Sequence, residues 1–340
     1  MRWPSKDIGD PSNLLIRVIV VGYQKKGESC IFLLRDKRTD EILFSMVIDS
    51  YKRRKQNRTL ELLKENGVKE NTLDILCWSH PDDDHSLGID RILDEYGGSQ
   101  TKVITPISFW SKEYNIKAFR PNTRELRFLD HLIDLNKKTK STLLPKSCSE
   151  GGYDLVYQRN FVFGLDQMYF KVFVLSPIVE RLKGMIDDGQ QIERNQTSVT
   201  LLVDIDGNRF LFPADLPNDE IDLINEEIIE RPLFLKIPHH GSDSSDRILD
   251  YISANANLLA CTTVYRSTKP GSERPHPAVM SKYKKRCEKV YNTGSNATYN
   301  FGTVIADYDI FGAKECIIST EGSAFEIIAP SSVTSALSPD

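Results

Sequence analysis

The segment Ser79-His80-Pro81-Asp82-Asp83-Asp84-His85 follows directly on the apolar run 73–78. That run has the length and composition of a buried strand, so the polar segment is predicted to be the loop at its end. In an extended chain, residues two apart project to the same side. His80 and Asp82 can therefore contact one cation, while Asp84 and His85, on the following turn, face a second cation.

An acidic cap for the next helix is the alternative interpretation of this segment. Aspartate and serine are common at helix N-caps. This alternative does not explain the two histidines or the rigid Pro81, so the sequence favours a metal-binding loop.

The histidines of the chain are concentrated rather than scattered. Five of the six fall in three short segments bounded by proline or glycine: 79–85, Pro238-His239-His240-Gly241-Ser242 and Pro275-His276-Pro277. The sixth, His131, lies in a charged segment that is predicted to be helical, and it is interpreted as a structural or surface residue.

Two further segments place candidate ligands at strand ends. Asp215 follows the apolar run 210–214, and a single carboxylate there can bridge two cations. An aspartate after a strand is more often a turn residue. The prediction that Asp215 is a ligand therefore depends on its occurrence together with the histidine segments. His239 and His240 follow the run 233–238 and are predicted to point to different sides of the backbone. One can then bind metal while the other contacts the substrate or the leaving group.

The order of apolar runs and helical segments predicts an α+β fold. Strand-like runs at 17–23, 30–34 and 42–49 form an antiparallel meander, and later strands and helices repeat a similar series. Two mixed sheets packed face to face with helices outside, an αββα sandwich, fit this order. The predicted organisation is an N-terminal extension (1–13), a catalytic domain (14–329) that contains a variable helical insertion (108–160), and a flexible tail (330–340).

Composition narrows the classes of function. The formal net charge of −4 excludes a global basic field that would draw the protein onto nucleic acid or anionic lipid. Two short basic runs, 52–58 and 282–286, are interpreted as solvated faces unless they flank the site.

The six cysteines form no CxxC pair, which indicates free thiols, and no apolar run approaches the roughly 20 residues of a membrane span. The expected location is the cytoplasm, without a membrane partner.

These motifs resemble the metallo-β-lactamase superfamily. The 80–85 loop is similar to its HxHxDH signature, and Asp49 after a strand, Asp215 and a final histidine follow in the same order. The chain looks most like the soluble metallo-β-lactamase-like domain of the competence DNA-uptake protein ComEC, over roughly residues 14–310. The motifs that carry this resemblance are Val20-Val21-Gly22, Asn195-Gln196-Thr197-Ser198, 235–242, His276-Pro277 and Tyr291-Asn292-Thr293-Gly294.

The resemblance implies two divalent metal ions. One site would comprise Asp84, His85, Asp215 and His240. The other would hold His80, Asp82 and Asp215, with Asn195 where the family has a histidine. Because this second site is poorer in nitrogen, Mn²⁺ or Mg²⁺ is an alternative to Zn²⁺ there. Asp49 is expected to orient the His80 loop without touching metal.

The expected chemistry is attack by a metal-activated water on a phosphodiester in DNA or a nucleotide. Asp84, His239 and His276 are the candidate catalytic residues: His239 would stabilise the transition state or protonate the leaving group, and His276 would reach substrate. Two alternatives stay open. One is a hydrolase of small esters, lactones or thioesters. The other is a non-catalytic binding module, motivated by Asp82, which stands where the signature has its second histidine, and by Asn195.

The basic residues offer a discriminating observation. Clustering of Arg53, Arg54, Lys282, Lys284 and Lys285 around the metal cleft would favour nucleic acid, because nucleases present a basic track to their substrate. Dispersal of these residues would favour a small substrate.

Overall fold

Strands dominate the secondary structure of this computed structural model, which describes residues 5–53, 56–109, 124–253, 255–266, 273–294 and 298–328. The strands are β1 Ser5–Asp7, β2 Leu14–Tyr23, β3 Glu28–Asp36, β4 Glu41–Ile48, β5 Ile75–Cys77, β6 Lys102–Pro106, β7 Thr142–Lys146, β8 Asp154–Phe163, β9 Asp166–Ser176, β10 Thr200–Ile205, β11 Asn208–Phe212, β12 Phe234–Lys236, β13 Asn255–Thr262, β14 Cys287–Asn292, β15 Phe301–Asp309, β16 Glu315–Gly322 and β17 Phe325–Glu326. The helices are α1 Arg58–Glu65, α2 Asp83–Ser86, α3 Ile89–Tyr96, α4 Arg124–Thr139, α5 Val179–Asp187, α6 Asn218–Ile221, α7 Glu226–Ile229, α8 Ile248–Tyr251 and α9 Pro277–Arg286.

The strands form two mixed sheets with the same internal plan. The first sheet has the order β1-β8-β9-β10-β11-β12-β13-β14-β17, and the second has the order β16-β15-β2-β3-β4-β5-β6-β7. In the first sheet, strands β8 to β11 pair antiparallel and β11 to β14 pair parallel. In the second, strands β15 to β4 pair antiparallel and β4 to β7 pair parallel.

Terminal strands are exchanged between the two halves of the chain. The N-terminal strand β1 pairs with β8 in the first sheet, whose other strands all come from residues 154–326. Conversely, β15 pairs with β2 over eight residues, Phe301 to Tyr308, and β16 extends that edge of the second sheet. Each sheet is therefore completed by a segment from the opposite end of the chain.

The largest apolar core lies between the two sheets. In β2, alternate side chains such as Ile16 and Val18 face this core, while Ile19 and Val21 face the outer layer. A strand that is buried on both faces reads as a continuous apolar run. Across the interface, the Phe32 ring of the second sheet lies 5.4 Å from the Phe210 ring of the first.

Helices cover the two outer faces. Helices α1, α3 and α4 pack their apolar side chains on the second sheet. Helices α6 to α9 pack in the same way on the first sheet. The expected α+β arrangement of two mixed sheets with helices outside is thus present. No helix within the described ranges is long and apolar enough to cross a membrane.

Some expectations about boundaries need correction. Residues 5–7 of the expected N-terminal extension form strand β1, and Ile8 is fully buried. Only part of the expected helical insertion is helix: α4 is helical, but β7 and most of β8 also fall within 108–160 because their apolar side chains complete the two sheets. Residues 110–123 of that insertion, and the expected tail 330–340, lie outside the described residues.

Candidate metal centre

The candidate ligands meet at one end of the sandwich, where parallel strands of both sheets finish. Asp49 follows β4, and the segment 79–85 follows β5 in the second sheet. Asp215 follows β11, and His239 and His240 follow β12 in the first sheet. Carboxyl ends of parallel strands lie at the same edge, so these loops converge although they are distant in the sequence.

Four of the predicted ligands form one tight group. The Nε2 atom of His240 lies 3.3 Å from Oδ2 of Asp84 and 3.6 Å from Oδ2 of Asp215. The Nε2 atom of His85 lies 3.5 Å from Oδ1 of Asp215 and 3.9 Å from Oδ2 of Asp84. Asp84, His85, Asp215 and His240, predicted as the intact site, are therefore brought together.

The remaining predicted ligands lie on the other side of Asp215. The Nε2 atom of His80 is 4.0 Å from Oδ2 of Asp215 and 3.9 Å from Oδ2 of Asp82. His239 also faces this side, with its Nε2 atom 3.8 Å from the same Asp215 oxygen. Asp215 thus stands between two groups of imidazoles, as a bridging carboxylate would.

Several buried atoms of the cluster have no hydrogen-bond partner in the part of the chain that the structure describes. They are Nε2 of His80, His85 and His240 and Oδ1 of Asp215. An unpaired buried polar group costs about 1–3 kcal/mol, so four such atoms in one cluster suggest a missing partner that attracts nitrogen and oxygen lone pairs. A divalent cation is such a partner. Buried His, Asp and Glu side chains here could hold a metal ion.

Asp49 orients the loop that carries the ligands. Its Oδ2 lies 2.7 Å from Nδ1 of His85, and its Oδ1 accepts a hydrogen bond of 2.7 Å from the Ser79 backbone N–H. The Ser79 hydroxyl donates to Oδ2 and also lies 3.0 Å from Nδ1 of His80. The expected positioning role of Asp49 agrees with these contacts.

A second buried network lies behind His240 and was not predicted from the sequence. Nδ1 of His240 is 2.7 Å from the Thr263 hydroxyl and 3.2 Å from Oε2 of Glu28. Thr263 donates to the same Glu28 oxygen, and Nζ of Lys236 lies 2.7 Å from it. Glu28 and Lys236 are almost fully buried. The charged residues at the ends of apolar runs were the available signal.

The loops that carry the ligands contain left-handed backbone conformations. Asp49, Ala214, His239 and His240 have φ angles between 47° and 58°, and Gly241 has a φ of 80°. Such conformations cost roughly 1–3 kcal/mol in residues other than glycine. The surrounding contacts therefore hold these turns in place, as they do at many functional sites.

Electrostatics couple the group strongly. Burial alone would lower the pKa of His85, but the carboxylates of Asp215, Asp49 and Glu28 raise it well above its ordinary value. Burial would raise the pKa of the Asp215 carboxyl, yet His240, His85 and His239 hold it well below its usual range. The cluster is therefore a strong cation-binding environment. Because metal binding releases ligand protons, metal affinity is expected to fall as the pH falls.

His239 has a different electrostatic environment. Burial lowers its pKa to about 4, although the Asp215 carboxylate opposes this shift. Its Nδ1 atom lies 3.2 Å from the Ser244 hydroxyl, and its Nε2 atom lies 3.4 Å from the Asn195 amide nitrogen. A neutral imidazole at this position can accept a proton or bind a cation. The expected roles of His239, stabilising the transition state or protonating the leaving group, stay predictions.

Three predicted residues are placed differently from the core group. Asn195 contacts His239 rather than His80, so it positions that ring. Asp82 also pairs with Arg194 at 3.0 Å, which partly neutralises its charge. His276 is exposed and forms the N-cap of α9, and within the described residues no hydrogen bond or ion pair joins its ring to the cluster. Its expected contact with substrate therefore has no support in this geometry.

No family model matches the chain, and no curated protein is significantly similar to it.

Proposed function

We propose that this chain has the metallo-β-lactamase fold and is a metal-dependent phosphodiesterase or nuclease with two divalent ions, Zn²⁺ or Mn²⁺, at the centre. The observation that carries the proposal is the convergence of unpaired Nε2 atoms of His80, His85 and His240 on the carboxylates of Asp84 and Asp215. Bound divalent cations would supply Lewis-acid activation of water and of the phosphate oxygens.

The side chains divide the remaining work. His85 and His240 are each hydrogen-bonded through Nδ1, which leaves Nε2 directed into the centre. Asp215 contacts imidazoles of both groups and fixes their separation. His239, neutral at neutral pH, would accept a hydrogen bond from the attacking water or bind the ion on the His80 side.

A guanidinium near the centre supports an anionic substrate over a neutral ester. The Arg274 guanidinium lies 5.8 Å from the ring centre of Tyr265, which in turn packs 5.3 Å from the His240 ring. A positive group beside the centre would attract a phosphodiester and hold it during in-line attack.

Hydrolysis of bis(p-nitrophenyl) phosphate with added Mn²⁺, Zn²⁺ or Mg²⁺ tests the proposal. Asp84→Asn and His240→Gln should each lower the rate at least about a hundredfold, because they remove a ligand while nearly preserving side-chain volume. His131→Gln is the matched control, since His131 is exposed on α4, and it should retain full activity.

Two further readouts separate the alternatives. The metal content of the purified Asp84→Asn and His240→Gln variants should fall together with their activity. Hydrolysis of p-nitrophenyl acetate, but not of the phosphodiester, would replace the proposal with the ester hydrolase. A wild-type protein that retains no divalent metal would favour the binding module.

A further inference from the structure

A recess of about 330 Å³ adjoins the candidate metal centre. Four cationic side chains line it, together with tyrosines that include Tyr51 and Tyr265: the cations are Lys25, Lys26, Arg53 and Arg266. These residues come from the β2–β3 turn, the segment after β4 and the segment after β13. The backbone N–H of Arg266 donates to the Lys25 carbonyl at 2.6 Å, so two of these segments are joined directly.

Two contacts connect the recess to the metal centre. Tyr265 lines the recess and also packs its ring 5.3 Å from the ring of His240. Lys26 lines the recess and lies 3.8 Å from Asp83, within the 79–85 loop. The recess and the centre are therefore neighbours that share Tyr265 as a common wall.

The charge of the recess contrasts with that of the whole chain. The chain carries a formal charge of −4, yet no carboxylate is found among the described residues that line this recess. Arg53 donates to the neutral side chains of Gln24 and Asn300. Only Lys26 has a nearby carboxylate, Asp83, among the described residues. The positive charges are thus largely available to an anion.

We propose that this recess binds the backbone phosphates of a single-stranded nucleic acid, next to the phosphodiester at the metal centre. The inference rests on the proposed function and specifies its substrate class. Cations that follow a backbone, combined with aromatic side chains, are typical of sites for single strands. A volume near the lower end of ligand pockets, about 300–1,000 Å³, suits one nucleotide unit rather than a duplex.

The second basic run of the sequence does not contribute to this site. Lys282, Lys285 and Arg286 line a separate recess with Asp246 and Asp250. Lys282 pairs with Asp246.

The residues of the two basic runs are therefore dispersed, which by itself favours a small substrate, and Arg54 lies outside the described residues. A nucleic-acid substrate is supported instead by Lys25, Lys26 and Arg266, which lie outside those runs and line the first recess with Arg53.

The test measures binding of fluorescein-labelled oligothymidylates of 1, 4 and 12 nucleotides to the full chain by anisotropy, with a chelator present to prevent cleavage. Wild type should bind the longer oligomers more tightly than the mononucleotide. The variant Lys25→Gln/Lys26→Gln/Arg266→Gln should bind the 12-mer about tenfold more weakly or worse. Its slope of log affinity against log salt should fall in magnitude by about 2, since each phosphate contact to a single strand contributes about 0.7.

Two variants control this measurement. Lys282→Gln/Lys285→Gln/Arg286→Gln removes the same number of positive charges, but at the separate recess, and this variant should bind the 12-mer like wild type. Lys25→Arg/Lys26→Arg/Arg266→Lys keeps the charges and should keep the salt slope. Thermal unfolding of each variant verifies that the fold is retained.

The outcomes separate this inference from the proposed function. Equal weakening in both glutamine variants, or affinity that does not rise with length, would overturn the recess as a nucleic-acid site even if bis(p-nitrophenyl) phosphate is hydrolysed. Selective weakening of the recess variant supports the site. If wild type then hydrolyses no phosphodiester, the proposed function fails while the binding site stands.

Discussion

His85 shows how a single side chain is prepared for metal binding. Its Nδ1 atom contacts Asp49, and its Nε2 atom is buried in the centre with no hydrogen-bond partner among the described residues. A carboxylate that accepts the Nδ1 proton fixes the tautomer, so the Nε2 lone pair is free for a cation. Asp49 therefore acts through His85 rather than on the ion itself.

Asp49→Asn should weaken metal binding roughly 10–100-fold, because the amide cannot accept from both Ser79 and His85 as the carboxylate does. Asparagine tolerates the left-handed backbone of this position (φ 58°). Competition with a chromogenic chelator measures the affinity. Asp206→Asn is the control, since Asp206 is exposed and also left-handed (φ 51°). Equal affinity of the Asp49 variant and wild type would refute the positioning role.

Residue identity in the site was predictable where chemistry and sequence position coincide. Histidines in loops after apolar strands indicated ligands, and six predicted ligands lie together. Glu28 and Lys236 were not predicted, since a charged residue at the end of a strand usually faces solvent. Only tertiary packing buries both as an ion pair behind His240. His276 was overinterpreted because its proline neighbours resembled those of the other histidine loops.

Short turns after parallel strands carry the strain of the site. Ala214 has a φ of 53°, and its carbonyl accepts from the backbone N–H of His239 at 3.0 Å. The turn after β11 is thereby joined to the turn after β12. This contact couples the positions of Asp215 and His239.

Ala214→Gly should leave the free energy of unfolding within about 0.5 kcal/mol of wild type, because relief of the left-handed strain offsets the greater flexibility of glycine. Ala260→Gly, at a buried position in strand β13, has no such relief and should cost about 1–2 kcal/mol. Urea unfolding of both variants measures the difference. A larger loss at Ala214 than at Ala260 would contradict the strain argument.

Helix α6 contains a buried carboxyl with a pH signature. Glu220 is fully buried, and its oxygens have no hydrogen-bond partner among the described residues, although Nε of Arg181 lies 3.4 Å away. Burial and the neighbouring Asp219 raise its pKa from 4.5 to about 7. The unfolded chain therefore loses this proton at a lower pH than the folded protein. Stability is lost as the pH rises from 4.5 to about 7 and then stays constant.

Glu220→Gln removes this loss. The difference in unfolding free energy between the variant and wild type should be about 2 kcal/mol more favourable to the variant at pH 8 than at pH 5. Glu150→Gln, at an exposed turn, should show a difference that does not change with pH. Urea titrations at the two pH values measure both. A constant difference for the Glu220 variant would contradict the assigned pKa.

Elements were predictable where their apolar pattern is strong. The antiparallel meander β2 to β4 was expected near its observed bounds. The sequence pattern also predicts helices over 57–66, 90–96, 123–138 and 277–287, close to α1, α3, α4 and α9. Strand β8 was not predicted, because polar residues such as Gln158 and Arg159 interrupt its apolar pattern. Strand β1 is only three residues long, and all three are polar or charged. Its pairing with β8 is a long-range contact. Local sequence does not encode such a partner.

At the scale of the whole molecule, the candidate metal centre lies where the two sheets meet. Asp84 and His85 come from helix α2, which follows β5 of the second sheet, whereas Asp215 and His240 come from the segments that follow β11 and β12 of the first. Ligands from both sheets would be held by the same ions. Metal binding is therefore expected to stabilise the sandwich as a whole.

Metal at about 100 times its dissociation constant should add about 2.7 kcal/mol to the free energy of unfolding. The melting temperature should then exceed that of the chelated protein by roughly 4 °C or more. Differential scanning calorimetry with and without chelator measures this shift. His240→Gln should reduce it strongly, whereas His131→Gln should not. Identical melting temperatures for metal-loaded and chelated wild type would contradict a metal centre between the sheets.

The exchanged terminal strands bear on how a substrate enters. If the N-terminal and C-terminal halves of the chain moved apart, β1 would have to leave β8, and β15 would have to leave β2 along eight paired residues. The backbone hydrogen bonds of these two strand pairs connect the halves of the chain at both of its ends. These pairings oppose a hinged separation of the two halves. Substrate and product are therefore expected to reach and leave the centre past the surrounding loops, which can move without breaking these pairings.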